Sequence, residues 1–300
     1  MEMALPGRRK RRALPASEIG FRICNYSFMV LLCVTTLYPF LFLLASSFSG
    51  GDLSVNGFSL IPREFTTGNY VRILSNRLIG IGYKNTLFRT IVGTALSLLA
   101  TFALAYPLAK RTFPNRTFWT GLVVFTMFFS GGMIPNYLLV RSLSLIDTPW
   151  ALILPELISA YNLVIMRNYI MAIPASLEES ARIDGANDIV ILFRIVAPIC
   201  KPVLATLALW ISVWHWNAWF DSMIYMTKAD GQVVQLVMRR IVLEGSDQLT
   251  QMIGMDTSQY YTTEGLKGAT IVVATLPILL AYPFIQKYFV RGVMMGSLKG

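Results

Sequence analysis

Long apolar runs alternate with shorter polar connectors along this chain. Residues 23–51, 90–109, 117–140, 202–220 and 268–286 carry no Asp, Glu, Lys or Arg, and residues 148–166 carry only Glu156. The hydrocarbon core of a bilayer takes about 20 residues of helix, and each run meets or nearly meets that length. They predict six transmembrane helices, at about 23–48, 86–109, 117–140, 148–168, 202–226 (continuing past Asp221 to Met226) and 267–287. Backbone in lipid must satisfy its hydrogen bonds internally, so the expected class is an all-α polytopic membrane protein. The first run exceeds the roughly 7–15-residue apolar core of a signal peptide, so it reads as a retained helix. Gly93, Ala95, Ser97, Ala100, Ala103 and Ala105 supply the second span with small residues for close packing. Ser130-Gly131-Gly132 and Pro135 interrupt the third. Breakers inside a span are tolerated where neighbours or a water-filled cavity satisfy the backbone, so this break marks either a translocation pathway or a packing kink.

The connector 173–202 has a pattern of its own. Pro174 stops the preceding helix. Ser176 is placed to act as an N-cap, and Glu179 three residues later completes a capping box. Leu177 to Asp184 then form two helical turns, and Gly185 fits the position where a helix ends with positive φ. Asn187 caps a second short helix with Asp188 at its positive end. Ile189, Leu192, Phe193 and Val196 share one face by three- and four-residue spacing, and Pro198 and Pro202 close the unit. Physics alone leaves two readings, an ordinary loop with two short helices or a docking element.

Composition sharpens the class. Of the 300 residues, 55% are hydrophobic and 14% charged, and mean hydropathy is +0.56. A soluble domain carries about a quarter charged residues, so too little charge is present to cover a water-facing surface. Net charge is +10, concentrated at the ends of the apolar runs, which suits membrane topology rather than nucleic-acid binding. With the amino end inside, the cytoplasmic side holds 16 of the 26 Lys and Arg residues. That obeys the positive-inside rule and puts both termini and the 173–202 connector in the cytoplasm. Cys24, Cys33 and Cys200 form no metal spacing or disulfide framework.

The connector also carries a resemblance. Glu179-Ser180-Ala181-Arg182-Ile183-Asp184-Gly185-Ala186, followed by Ile195 and Pro198, resembles the EAA loop of binding-protein-dependent ABC importer permeases. Ser180 replaces the middle alanine, Leu192 the usual phenylalanine and Ala197 the usual leucine. The stretches 129–148, 161–170, 215–225 and 286–300 are similar to the oligosaccharide branch of the maltose-permease-like family, and 61–70 resembles its external segment. The resemblance implies a type I importer permease fold. It makes residues 1–22 a cytoplasmic basic terminus, 23–290 the permease domain with its coupling loop at 173–200, and 291–300 a cytoplasmic tail. It implies that Glu179, Ala181, Asp184, Gly185, Ala186, Ile195 and Pro198 couple the chain to an ATPase, and that Gly296, Ser297 and Lys299 reach into the ATPase dimer. The implied partners are a second homologous permease chain, two ATPase subunits, an external solute-binding protein and a sugar. The implied location is the bacterial inner membrane. No Gly-Lys pair occurs anywhere, so the chain has no P-loop, and ATP and Mg are expected on the partner subunits.

Cargo-contact candidates are polar or aromatic groups inside spans: Asn136, Tyr137, Glu156, Tyr161, Asn162, Trp214, Asn217, Trp219 and Asp221. The tryptophans read equally as an interfacial belt. Asn217 and Asp221, four apart, are expected on one helix face. Glu156 reads either as functional or as a charge solvated near the surface, and His215 as a satisfied polar residue. Two other functions stay open, a permease of the same superfamily for a non-sugar solute and, more remotely, an intramembrane enzyme. The second would need convergent catalytic groups, which one histidine and two acidic residues within spans do not supply.

Overall fold

The computed structural model describes residues 16–50, 60–62, 64–243 and 264–280. The fold is built on α3 (Arg77–Ala109), a helix of 33 residues and so about 50 Å long. Before it come α1 (Ala16–Ser47) and the short α2 (Gly68–Ser75). After it come α4 (Arg116–Phe128), α5 (Met133–Ser142), α6 (Ala160–Met171) and α7 (Ala175–Ile183). The chain continues through α8 (Asp188–Val190), a π-helical stretch Ile191–Val196, α9 (Ala197–Ile199), α10 (Lys201–Asn217), α11 (Phe220–Tyr225) and α12 (Val234–Leu243). A final described helix, α13, covers 264–280.

Two of these helices, Ser17–Ser47 and Arg77–Ala109, are long and apolar enough to cross a membrane. Two further pairs qualify only if each is taken as one bent span: α4 with α5, bent 114°, and Asp188–Ile199 with α10, bent 83°. The break between α4 and α5 falls at Phe129–Gly132, where Gly132 has φ +88°. The expected breaker therefore acts, and as a sharp bend. The expected continuous fourth span is not one. A 3₁₀ turn, Pro149–Leu152, gives way to non-helical backbone before Ser159 caps α6. Pro155 sits in that gap and supplies no N–H for a helix to run through it. The fifth span also ends early, at Ala218 with ψ 128°. Of the sixth, 281–287 lies outside the described residues.

Packing on α3 is made possible by absent side chains. A Cβ on Gly82 would lie 2.9 Å from the Val234 backbone of α12, and one on Gly93 would lie 2.5 Å from the His215 ring of α10. One apolar core joins α3, α6, the π-helical stretch and α10 through Phe102, Met166, Ile191, Val196 and Leu207. A second joins α3, α12 and α13. In contrast α1 stands almost free along its length, and only its last turn is buried. There Asn69 donates to the Ser47 and Ser49 carbonyls at 3.0 and 3.2 Å, and Phe48 stacks on Phe65 at 5.3 Å. The segment 61–70 is thus more than surface loop: its Asn69 is fully buried.

Candidate functional site

The coupling-loop candidate is built as a helix, a corner and a second helix, with two departures from expectation. α7 starts at Ala175 behind Pro174, and its first turn has no side-chain cap. The Ser176–Glu179 capping box does not form, because Pro174 already fixes the entry backbone and Ser176 lies inside the helix. The remaining devices hold. Gly185 adopts φ +81°, the Ala186 N–H donates to the Ala181 carbonyl at 2.9 Å, and Asn187 Oδ1 accepts the Val190 N–H at 2.9 Å. The second helix then widens into the π form. That wider turn rotates the buried face, so Ile191, Leu192, Val196 and Cys200 are inside, while Ile189 and Phe193 are exposed. The three- and four-residue spacing expected for Ile189 and Phe193 fails for this reason.

This element is tied to the bundle at its root. The Lys110 ammonium, one residue past α3, pairs with the Glu178 carboxylate of α7, both mostly buried, and lies 4.1 Å from the Tyr106 ring centroid. Ala181 is buried against the core. Arg182 pairs with Asp188 across the glycine corner at 2.6 Å. Glu179, Asp184 and Gly185 are exposed, as is Pro198, whereas Ala186 and Ile195 are half-buried. Ile183 is 86% exposed, so the tip of α7 presents an isoleucine beside two carboxylates. Gly296, Ser297 and Lys299 lie outside the described residues.

The cargo candidates separate into two groups. Glu156, Asn162 and Trp214 line one cavity of about 270 Å³, together with Ser97, Thr101, Trp210 and His215. Tyr161 stacks beside it on Trp210 at 6.4 Å. Asn136 is exposed at the start of α5. Tyr137 stacks on Tyr225 at 6.4 Å, and Trp219 lies under the Arg239 guanidinium at 3.8 Å, both away from that cavity. Asn217 and Asp221 do not share a helix face, because the helix breaks at Ala218 and Trp219. Asn217 turns back to the Val213 carbonyl at 2.8 Å, whereas Asp221 pairs with Arg89.

Arg89 was not among the expected residues, because it sits at the edge of the uncharged run. It is 1% exposed and donates to both Asp221 oxygens, to the Ala218 carbonyl at 3.2 Å, and through Nε to His215 Nδ1 at 3.3 Å. His215 is therefore only half satisfied, since its Nε2 has no partner. Ser97, Thr101 and Trp210, which line the same cavity, are likewise not among the cargo candidates of the sequence. Gly93, Ser97 and Thr101 repeat every four residues along α3, a signal visible in sequence, where Gly93 and Ser97 read as packing and Thr101 is not singled out.

Near this cluster, Asp147, which lines a pocket with Arg89, closes a turn with φ +60°. It accepts the Thr227 N–H at 2.7 Å and the Lys228 N–H at 3.2 Å. The Thr227 hydroxyl is the largest of the influences that hold this carboxyl below its ordinary value.

Comparisons with known proteins bear on the whole chain. A family described as "Binding-protein-dependent transport system inner membrane component" matches residues 88–295. Protein LplC of Bacillus subtilis (strain 168) is 43% identical over 283 residues, covering 93% of this chain and 95% of that protein. The polygalacturonan/rhamnogalacturonan transport system permease protein YtcP of the same organism is 41% identical over 281 residues, covering 93% and 98%. A chain in the crystal structure of a bacterial ABC transporter involved in the import of the acidic polysaccharide alginate superposes with TM-score 0.86 at 31% identity, covering 93% of this chain and all of that one.

Proposed function

We propose, from the premise that the chain belongs to the family of binding-protein-dependent transport system inner membrane components, that it is a permease subunit importing an oligo- or polysaccharide. Membership of that family makes the chain a transport component and not an enzyme, working with an ATPase and a binding protein. The finer reading has six spans with both termini in the cytoplasm, a second homologous permease chain beside this one, and two ATPase subunits below. The exposed apolar length of α1 and the wholly unburied α4 are the surfaces that lipid and a second permease chain would cover.

The observation that carries the mechanism is the projection of α7. A short helix, rooted by Lys110–Glu178 and ended by a positive-φ glycine, exposes Glu179, Ile183 and Asp184. An exposed isoleucine flanked by carboxylates suits insertion into a cleft on another protein. Closing and opening of the ATPase dimer would move α7, and the Lys110 root would carry that movement to α3. The tail residues Gly296, Ser297 and Lys299 join this contact on resemblance alone.

The test uses the complex purified from native membranes and reconstituted in liposomes. Glu179→Lys and Gly185→Val are expected to insert at normal levels yet lose ATPase association or uncouple ATP hydrolysis from import. A valine at φ +81° is a severe backbone outlier, although open space surrounds the Cβ. Wild-type import by Gly185→Val at normal expression would refute the coupling role.

A further inference from the structure

The cavity between α3, the non-helical stretch 153–159 and α10 has the make-up of a ligand site. Ser and Thr in apolar helices usually return their hydroxyl to a carbonyl one turn back. Thr206, Ser212 and Thr270 do so, at 3.0, 2.9 and 2.8 Å. Ser97 and Thr101 line the cavity, are 3% and 1% exposed, and have hydroxyls without any partner. Thr90 and Thr94 continue the same row of unpartnered hydroxyls along α3. His215 adds a third such group. Its Nδ1 accepts from Arg89, so its proton is on Nε2, which is likewise unpartnered. A buried polar group without a partner is expensive unless water or a ligand completes it. Opposite these donors stand the Glu156 carboxylate and the Asn162 amide, and the Trp210 and Trp214 indoles supply apolar walls.

The geometry points to this cavity as a subsite for one neutral sugar ring of the imported saccharide. The inference rests on the importer reading above and adds residues and a ligand class to it. The volume, about 270 Å³, lies just below the usual range for small-molecule sites, roughly 300–1,000 Å³, so it fits a ring and not a chain. Hydroxyls of the ring donate to Glu156 and exchange hydrogen bonds with Ser97, Thr101 and Asn162, and its C–H face lies on an indole. Neutrality follows from the charges. The lining holds the Glu156 carboxyl and no Lys or Arg, and the nearby Arg89 cation is already paired with Asp221. No lining cation is therefore free to meet a uronate carboxylate, and such a ring is disfavoured at this position.

The experiment is import by the reconstituted complex, with its binding protein, of a neutral oligosaccharide panel (xylo-, arabino- and malto-) and of oligogalacturonate. Glu156→Gln removes one charge-assisted hydrogen bond and should raise the KM for the neutral cargo roughly ten- to hundredfold. Glu156→Lys should shift preference toward oligogalacturonate. As a second measurement, Ser97→Cys, in a chain with Cys24 and Cys33 replaced by Ser, should react with a small methanethiosulfonate and be protected by the neutral cargo. If the wild type imports a saccharide while Glu156→Gln keeps its KM and Ser97→Cys gains no protection, the subsite is refuted and the importer reading stands. If the wild type imports no saccharide but another solute, both fall.

Discussion

Replacing Gly93 with alanine tests how α3 and α10 are held together. The added Cβ would sit 2.5, 2.7 and 3.0 Å from three atoms of the His215 ring. The ring is tied to Arg89, itself fixed by Asp221 and the Ala218 carbonyl, so a shift of the ring costs that contact. Either the helices separate, an overpacking cost of about 1–3 kcal/mol, or the ring moves and forfeits its charged hydrogen bond, about 1.5–3 kcal/mol. Against this, alanine improves helix propensity over glycine by about 1 kcal/mol. The steric term offsets that gain, leaving a net loss of about 0–2 kcal/mol against the parent, or roughly 0–8 °C in apparent Tm for a chain of this size, and about 1–3 kcal/mol against a glycine-to-alanine change without a clash. The assay is thermal unfolding of the detergent-purified chain at one scan rate, with Gly121→Ala as a control. A Cβ there meets nothing within 4 Å, so only the propensity gain should appear. In the double variant Gly93→Ala/His215→Ala, the clash is gone, and the two changes should be less than additive by at least about 1 kcal/mol. A Gly93→Ala chain as stable as the Gly121→Ala control, or strict additivity in the double variant, would refute the close approach.

Three further outcomes are expected. Lys110→Ala strands the Glu178 carboxylate, and a cost of about 2 kcal/mol is expected, between those of exposed and fully buried pairs. The swap Lys110→Glu/Glu178→Lys should recover most of it, read as proteolytic resistance of residues 173–202. The Asp147 carboxyl is held below its ordinary value, so its contribution is present above the unfolded pKa, about 3.9, and is lost as pH falls below that through the folded value. Thermal stability should therefore step down below pH about 4 in the parent and lack that step in Asp147→Asn. Gly268→Leu should free α1 from α13, since even a Cβ there would lie 2.6 Å from Ser46 Oγ and 2.8 Å from the Leu43 carbonyl. A chain split in the 51–59 connector should co-purify as two fragments, and this variant should weaken that association, leaving the Asn69 and Phe65 contacts to residues 47–49.

The sequence by itself determined the membrane class, the spans at α1 and α3, and the glycine corner at Gly185. Each of these depends on local composition or on one residue's backbone freedom, which the chain carries wherever it is placed. It also determined the cap at Asn187, whose chemistry is local, although the expected cap at Ser176 lost to Pro174 two residues earlier, and the Ser159 cap emerged only in the structure. Only the tertiary structure decided which residues meet. Arg89 and Asp221 are 132 positions apart and Lys110 and Glu178 are 68 apart, and no periodicity reports a partner at such separation. The fourth run is apolar enough to span, yet Pro155 opens its backbone and turns Glu156 and Asn162 toward the hydroxyls of α3. The Ser97 hydroxyl among them reads as a packing residue in the sequence, because a small polar side chain serves close approach and ligand contact equally well. Which of the two it serves depends on whether the facing helix fills the space or leaves it open, and that is a property of the fold.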